Sequence, residues 1–351
     1  MPFRAVIIVV MWVSSSGAAG ALARLATIQG LRAIAALSVL FFHIRLIGVG
    51  YFGVDIFFVI SGFIVCYVAD RQPDHFLAKR LIRIVPLYWV ATAAMIGVAI
   101  TLPALLQSTE VTATAAVKSL LFIPYERATG MVQPILFLGW TLNYEMFFYV
   151  LFGACLAVWP KHAPIACASM LTGLSLLGQV AHLDLPWSFW CNPRLLEFVA
   201  GMVAFYLYSR KLAVLKAVPV VLALGVAVAS VGLMALQTTS GSKLYDVAVC
   251  GPLSFVLVLS ALSLEGRMRV APVVILIGDA SYSLYLLHPY VVRAVEEALV
   301  PLTTYSVKAI AASVVTIIVS IVVAVICYWT LEKPTNSWLR RHLTRTVART
   351  A

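Results

Sequence analysis

The chain has 351 residues, of which 62% are hydrophobic and 11% are charged, and its formal net charge is +11. Because a soluble domain carries about 25% charged residues, this composition excludes an ordinary soluble protein and predicts an all-α, polytopic integral membrane protein. A basic balance in a soluble protein would suggest a nucleic-acid partner. Here the lysines and arginines lie mainly in short loops and near the C-terminus, as the positive-inside rule describes, so no nucleic-acid partner is expected.

The first 27 residues differ from the rest of the chain. They read "MPFR", then "AVIIVVMWV", then "SSSGAAGALA", and this order is typical of a secretory signal. The alternative is a start codon assigned too early, with the functional chain beginning near Thr27. We therefore expect an N-terminal extension (1–27), a membrane domain (28–334) and a basic cytoplasmic tail (335–351).

Apolar segments long enough to cross a bilayer, which takes about 20 residues of helix, recur along the chain. They lie near residues 31–49, 52–69, 84–102, 139–158, 163–181, 187–208, 217–236, 244–264, 270–290 and 306–329. We therefore expect about ten transmembrane helices.

A further apolar stretch, residues 112–125, decides the topology. If it crossed the membrane, the basic loops at 210–216 and 265–269 and the basic tail would lie outside. If it does not cross, they join the basic residues of 71–83 on the cytoplasmic side, as the positive-inside rule requires. We therefore predict that 112–125 does not span and that both termini of the membrane domain are cytoplasmic.

The first apolar segment contains two ionisable residues, Arg32 and His43. Eleven residues of helix make about 1100°, so the two share one face and lie roughly 16.5 Å apart. We expect Arg32 at the cytoplasmic interface and His43 near mid-membrane. A guanidinium suits a phosphate and an imidazole suits proton transfer, so the pair fits a long donor such as a coenzyme A thioester. Taken singly, Arg32 is also explained by snorkelling and His43 by a hydrogen bond between packed helices.

Six cysteines are scattered in or beside apolar segments, and none forms a C-x-x-C pair or a cluster with histidine. They are typical of small buried residues. Neither a disulfide framework nor a metal site is expected.

The stretch "GLRAIAALSVLFFH" (30–43) resembles the first helix of the membrane-bound acyltransferase family three, in which ten residues separate an arginine from a histidine. The resemblance continues in order through "GYFGVDIFFVISGF" (50–63), "FLAKRLIRIVPLYW" (76–89), "WTLNYEMFFY" (140–149), "SYSLYLLHPY" (281–290) and "LEKP" (331–334). It implies a ten-helix enzyme of the bacterial cytoplasmic (inner) membrane. Such an enzyme moves an acyl group, usually acetyl, from cytoplasmic acyl-CoA to a carbohydrate hydroxyl of an exopolysaccharide, lipopolysaccharide or oligosaccharide.

The resemblance also implies a donor site. Arg80 and Arg83 match the family's Arg-x-x-Arg motif, and with Arg32 they are assigned to the phosphates of acyl-CoA, with acetyl-CoA as the expected donor. The alternative is an ordinary positive-inside cluster that contacts the headgroups of membrane lipids.

Four residues are assigned to catalysis or to the acceptor. His43 takes the proton of the attacking hydroxyl, and Asp55, which matches the family's G-V-D pattern, either polarises His43 or is a plain helix-end carboxylate. Glu145 matches the glutamate of the W-[ST]-L-x-x-E pattern and either orients His43 or binds acceptor hydroxyls, the alternative being a salt bridge to Arg194. His288 is assigned to the acceptor entrance, with a second role as base or a plain interfacial position as the alternatives.

Other polar residues are interpreted as structural. Ser61 and Gly62 are small residues for close helix packing, since the G-x-S-x-G elbow of hydrolases is absent. Glu197 can form an ion pair with Arg194, three residues before it in the same predicted helix. Glu332 ends the last helix.

Two routes and one rival function stay open at this level. The acyl group passes directly to the hydroxyl or through a covalent acyl-enzyme. Because the chain ends seventeen residues after Pro334, it either acts alone or hands its acyl group to a separate extracytoplasmic transferase. The rival function is an exporter of polysaccharide or lipid-linked sugar, but paired Gly/Pro interruptions in two halves, typical of transporters, are missing from the sequence.

Overall fold

The computed structural model describes residues 25–45, 47–102, 111–236, 243–299, 301–302 and 306–350, and for 243–246 and 343–350 it describes the backbone alone. The predicted N-terminal extension lies outside these residues up to position 24. The first described helix begins at Ala26, two residues before the expected start of the membrane domain.

The described residues form helices joined by loops, with no strand among them. The all-α prediction is therefore confirmed for this part of the chain. The helices are α1 Ala26–His43, α2 Gly53–Arg71, α3 Phe76–Thr101, α4 Ala113–Leu120, α5 Gly139–Val158, α6 Ala163–Val180, α7 Trp187–Trp190, α8 Leu195–Arg210, α9 Leu212–Ala217, α10 Val220–Leu236, α11 Lys243–Leu264, α12 Pro272–Asp279, α13 Ser281–Ala298, α14 Val307–Cys327 and, after a π-helical turn Tyr328–Glu332, α15 Lys333–Thr350.

Within the described residues, seven helical stretches are long and apolar enough to cross a membrane, namely α1, α2, α3, α5, α6, most of α11, and α14 with its continuation to His342. The other three predicted spans correspond to α8, α10 and the pair α12–α13, which are shorter or broken. The protein is therefore a multi-pass membrane protein, and the predicted number of about ten spans is approximate. The eight-residue helix α4 is too short to span, since its length is about 12 Å.

Three predicted spans differ in detail from the helices. α1 begins and ends earlier than the predicted 31–49, because Ile44 already adopts an extended conformation, and Gly48 and Gly50 follow in a turn with positive φ angles of 62° and 127°. His43 is therefore the last residue of α1 and does not lie in the middle of a longer helix. The predicted span 187–208 breaks before Pro193, because a residue preceding proline disfavours helical dihedrals. The span 270–290 breaks at Ala280, between Asp279 and Ser281, residue types that favour helix ends over helix interiors.

The two helices α2 and α8 cross in close contact. An added Cβ at Gly62 would lie 2.1 Å from the carbonyl oxygen of Phe198, and one at Gly201 would lie 2.0 Å from that of Val59. Only glycine permits this backbone approach. The close-packing interpretation of Gly62 is therefore confirmed, and the crossing fixes Ser61 and the start of α8 relative to each other.

The start of α1 lies beside two basic loops. Thr27 donates through its backbone N–H and its hydroxyl to Glu265, at 2.8 and 2.6 Å. Lys216 donates to the carbonyl oxygen of Glu265, and Arg267 donates to the carbonyl oxygen of Val218 at 2.7 Å. The loops at 210–216 and 265–269 therefore lie at the same end of the bundle as the N-terminus of α1.

Candidate active site

Two histidines from distant parts of the sequence meet inside the bundle. The Nδ1 atom of His43, at the end of α1, lies 3.2 Å from the Nε2 atom of His288 in α13. The His43 Nδ1 atom also lies 2.8 Å from the carbonyl oxygen of Val39, and the His288 Nδ1 atom lies 3.0 Å from that of Leu284. His288 is only 1% exposed, so it lies behind His43 and not on an open entrance.

These contacts determine where the ring protons are. A carbonyl oxygen only accepts hydrogen bonds, so each Nδ1 atom carries a hydrogen when it bonds to the carbonyl four residues earlier. The Nε2 atom of His288 is then unprotonated and accepts from His43 Nδ1–H. The described residues offer His43 Nε2 no hydrogen-bond partner, so this atom has a free lone pair that can take a proton.

Asp55 does not contact His43 in the way that the catalytic-pair interpretation requires. Its Oδ1 atom accepts a hydrogen bond of 2.8 Å from Arg194, whose guanidinium also lies 3.6 Å from Glu197. Among the described residues the structure records no hydrogen bond between Asp55 and His43. The side chain that contacts His43 Nδ1 is that of His288, a residue 245 positions away.

A cavity of about 560 Å³ lies at the His43 end of α1, and we call it the His43 cavity. Its lining is rich in aromatic residues, and Arg194 is the one charged side chain among the described residues that line it. The lining includes Phe42, His43, Tyr51, Phe137, Trp140, Tyr144, Phe189, Arg194 and Tyr285.

A second cavity, of about 220 Å³, lies at the other end of α1, and we call it the Arg32 cavity. It brings Arg32 and Arg83 together, as the sequence predicts, and Glu145 lines it as well. Glu332 and Asp279 lie within electrostatic range of Arg32. The two arginines thus lie in one largely apolar cavity at the opposite end of α1 from His43.

Glu145 belongs to a hydrogen-bonded group on the wall of the Arg32 cavity. Its Oε1 atom accepts from the Ser61 hydroxyl at 2.9 Å and from the Tyr149 hydroxyl. No hydrogen bond of its Oε2 atom is recorded with any described residue. Glu145 therefore lies with the arginines and not with His43 and His288, and its alternative partner Arg194 is bound to Asp55 instead.

Arg80 differs from its neighbour Arg83. Its side chain is buried, with the guanidinium carbon 5.6 Å from the ring centre of Phe76 and 5.8 Å from that of Tyr149. It is not among the residues that line the Arg32 cavity. Arg80 thus lies behind the cavity wall formed by Tyr149.

A thin partition separates the two cavities, and Val54 and Tyr285 line both. The Tyr285 hydroxyl lies 2.8 Å from the Thr141 hydroxyl and donates to the carbonyl oxygen of Leu138 at 3.1 Å. Tyr285, held by these two hydrogen bonds, therefore lies with Val54 between the cavities.

Sequence reasoning missed several residues of the two cavities. It interpreted Ser61 as packing alone and Glu332 as structural, yet Ser61 binds Glu145, and Glu332 accepts from Ser283 at 2.5 Å within electrostatic range of Arg32. Trp140 and Tyr285 could have been identified from the sequence, because they lie in the family-like stretches 140–149 and 281–290. No group of three or more His, Cys, Asp or Glu side chains that could hold a metal ion occurs in the described part of the chain.

The chain is similar to known proteins over most of its length. The pattern that defines the acyltransferase domain family matches residues 25–329. The exopolysaccharide production protein ExoZ of Rhizobium meliloti is 37% identical over 260 residues, which cover 71% of this chain and 79% of ExoZ. The putative membrane-bound transacylase BcsY of Komagataeibacter xylinus is 26% identical over 283 residues, covering 74% of this chain and 71% of BcsY.

A third relative is matched over a shorter region. The peptidoglycan O-acetyltransferase OatA of Listeria monocytogenes is 29% identical over 175 residues, which cover 44% of this chain and 28% of OatA. No solved structure matches the chain. The family match over residues 25–329 and the similarity to ExoZ show that the chain is an enzyme that belongs to the membrane-bound acyltransferase family three.

Proposed function

We propose that this enzyme transfers an acyl group, in the first instance acetyl, from acyl-CoA to a hydroxyl of a carbohydrate acceptor at the bacterial inner membrane. The observation that carries the proposal is the pair of cavities at opposite ends of α1, one with two arginines and one with His43. The acceptor class follows the relatives, since ExoZ is named for exopolysaccharide production and OatA for peptidoglycan O-acetylation.

The Arg32 cavity is assigned to the donor. Guanidinium groups bind phosphate through paired, charge-assisted hydrogen bonds, so Arg32 and Arg83 hold the phosphates, and Arg80 adds positive charge from behind the wall. The free Oε2 atom of Glu145 accepts an amide N–H of the pantetheine arm. The basic loops at this end of the bundle support a cytoplasmic position for it, where acyl-CoA is available.

The His43 cavity is assigned to the acceptor, with the thioester reaching it past Tyr285. The acceptor oxygen attacks the thioester carbonyl carbon while His43 Nε2 takes the hydroxyl proton. A C–O bond forms, the C–S bond breaks, and the departing thiolate takes the proton from His43 and leaves as the free thiol of coenzyme A. In the charged state His43 Nδ1–H donates more strongly to His288 and to Val39, which stabilises the imidazolium.

Asp55 has a positioning role in this scheme. It fixes Arg194 beneath the acceptor cavity and does not act on His43. The carboxylate of the usual Ser–His–Asp arrangement is here replaced by the neutral ring of His288.

The test is acetyl-CoA binding and turnover by the full chain in lipid nanodiscs, comparing wild type with Arg32→Gln and His43→Ala. We expect Arg32→Gln to raise the dissociation constant of acetyl-CoA about 10- to 100-fold, the value of one charged hydrogen bond. We expect His43→Ala to bind acetyl-CoA normally and to lose about 100-fold or more in transfer rate, as for loss of a general base.

Matched controls separate these roles from general effects of charge. Lys79→Gln removes a positive charge on α3 from a side chain that does not line the cavity, so it leaves acetyl-CoA affinity unchanged. His162→Ala removes an exposed histidine and leaves turnover unchanged. A wild type that binds no acetyl-CoA would contradict the donor assignment and would favour export of a sugar over acyl transfer.

A further inference from the structure

The wall of the His43 cavity contains two parallel aromatic rings. The rings of Tyr51 and Trp140 are inclined by only 10°, with their centres 6.5 Å apart. Both side chains are half-buried and line the cavity that His43 lines. The two rings therefore present parallel aromatic faces next to the proposed base.

The wall is held in place from three directions. Gly50 turns the chain back onto α1, where an added Cβ would lie 2.0 Å from the carbonyl oxygen of Ser38, and this turn places Tyr51. Trp140 packs edge-to-face on Tyr144, with ring centres 6.1 Å apart. The guanidinium carbon of Arg194 lies 5.5 Å from the ring centre of Tyr51 and 5.6 Å from that of Trp140.

The charge of Arg194 is already balanced. Asp55 lies 2.8 Å and Glu197 3.6 Å from its guanidinium, and all three residues are at most 3% exposed. Two carboxylates thus face one guanidinium, and the described lining provides no second positive charge. An anionic substituent in this cavity would lose hydration without gaining an ion pair, which is costly in a membrane interior.

We propose that the His43 cavity binds one neutral, hydroxyl-rich sugar ring of the acceptor against the Tyr51–Trp140 wall, and selects it over an acidic sugar. One face of such a ring carries polarised C–H bonds that pack on the electron-rich face of an aromatic side chain. The cavity volume of about 560 Å³ lies within the ordinary range of small-molecule sites, about 300–1,000 Å³. The edge hydroxyls of the ring then face His43. This inference rests on the proposed function, and it adds the acceptor class and the residues that select it.

The test supplies labelled acetyl-CoA and two panels of acceptors, neutral oligosaccharides and oligosaccharides of uronic acids of equal length, to the full chain in nanodiscs. We expect transfer to neutral acceptors with kcat/KM about tenfold or more above that for uronic acids. We expect Trp140→Ala to raise the acceptor KM about tenfold while the acetyl-CoA KM is unchanged, and Trp140→Phe, which keeps a ring, to raise it less.

Tyr51→Leu gives a second, independent variant of the wall, so the test does not depend on the folding of one protein. The matched control is Trp159→Ala, which removes a 48% exposed tryptophan at the far end of α5. The inference is overturned by equal or better transfer to uronic acids, by an unchanged acceptor KM in both wall variants, or by acetyl-CoA hydrolysis without transfer to any neutral oligosaccharide. Failure of the proposed function would give a different result, because the wild type would then bind no acetyl-CoA. That result would also overturn this inference.

Discussion

The two cavities of the protein lie at opposite ends of α1 and use polar residues in opposite ways. The Arg32 cavity exposes two guanidinium groups and a carboxylate to its interior. The lining of the His43 cavity is rich in aromatic rings, and its single arginine is bound to two buried carboxylates. Glu145, Glu332 and Asp279 lie within electrostatic range of Arg32, but no ion pair of Arg32 or Arg83 with a described residue is recorded, whereas Arg194 is paired with two carboxylates. Guanidinium donors are therefore available where a phosphate-bearing ligand is proposed and are already bound where a neutral one is proposed. In the proposed scheme the bundle keeps donor and acceptor chemistry in two cavities, and Val54 and Tyr285 line both.

Substitution of His288 is expected to have the largest effect on activity among the variants that distinguish the roles of the two cavities. His288→Phe keeps the ring volume but removes one of the two acceptors of His43 Nδ1–H, leaving the carbonyl oxygen of Val39. We expect kcat to fall about 10- to 100-fold, the value of the one hydrogen bond to a charged group that is lost. The acetyl-CoA KM is expected to stay constant, because His288 does not line the Arg32 cavity. His288→Gln, whose amide oxygen can accept, is expected to restore part of kcat, and equal losses in both variants would contradict the role.

Substitution of Glu145, which lines the Arg32 cavity, is expected to have a smaller effect on the kinetic constants. Glu145→Ala removes the acceptor of Ser61 and Tyr149 and the proposed contact to the pantetheine arm. We expect the acetyl-CoA KM to rise about tenfold with the acceptor KM unchanged. Steady-state kinetics with each substrate varied in turn measures both constants. A rise in the acceptor KM alone would mean that Glu145 serves the acceptor and that the division between the cavities is wrong.

The smallest effect is expected from the partition itself. Tyr285→Phe keeps the ring but removes the hydrogen bonds to Thr141 and Leu138, so water reaches the thioester more often. We expect acetyl-CoA hydrolysis without acceptor to rise about fivefold, the value of one neutral hydrogen bond, because Thr141 keeps its own hydrogen bond to the carbonyl oxygen of Leu138. Tyr290→Phe is the matched control. Tyr290 lies on the same helix and lines neither cavity, and its hydroxyl donates to the carbonyl oxygen of Ala91. Equal hydrolysis in the two variants would show that Tyr285 is not a barrier.

Much of the fold follows from local features of the sequence. The apolar segments predict the helices because a spanning helix needs a fixed apolar length, and this length is visible in the sequence. The exceptions are the breaks before Pro193 and at Ala280, where short polar or proline-containing stretches interrupt otherwise apolar segments. The number of spans stays approximate, since shorter helices such as α8 and α10 depend on how they pack.

Part of the candidate site could also be predicted from neighbouring residues in the sequence. Arg32 and His43 share one helix, so the helical period predicts that they lie on one face, about 16.5 Å apart, at separate places along α1. The structure agrees, because Arg32 lines one cavity and His43 the other. Arg83 also lines the Arg32 cavity, as the motif match implies, whereas Arg80 lies behind its wall.

The partners of these residues were decided by the tertiary structure alone. His43 meets a residue 245 positions away, Asp55 meets Arg194 across 139 positions, and Glu145 meets Ser61 across 84 positions. Sequence spacing carries no distance information across such separations, because the contacts depend on which helices cross and how closely. That is decided where backbone meets backbone, as at Gly62 in the crossing of α2 and α8. The sequence by itself determined the helices and the chemical character of α1, and only the packing of those helices decided which ionisable groups face each cavity and which neutralise each other.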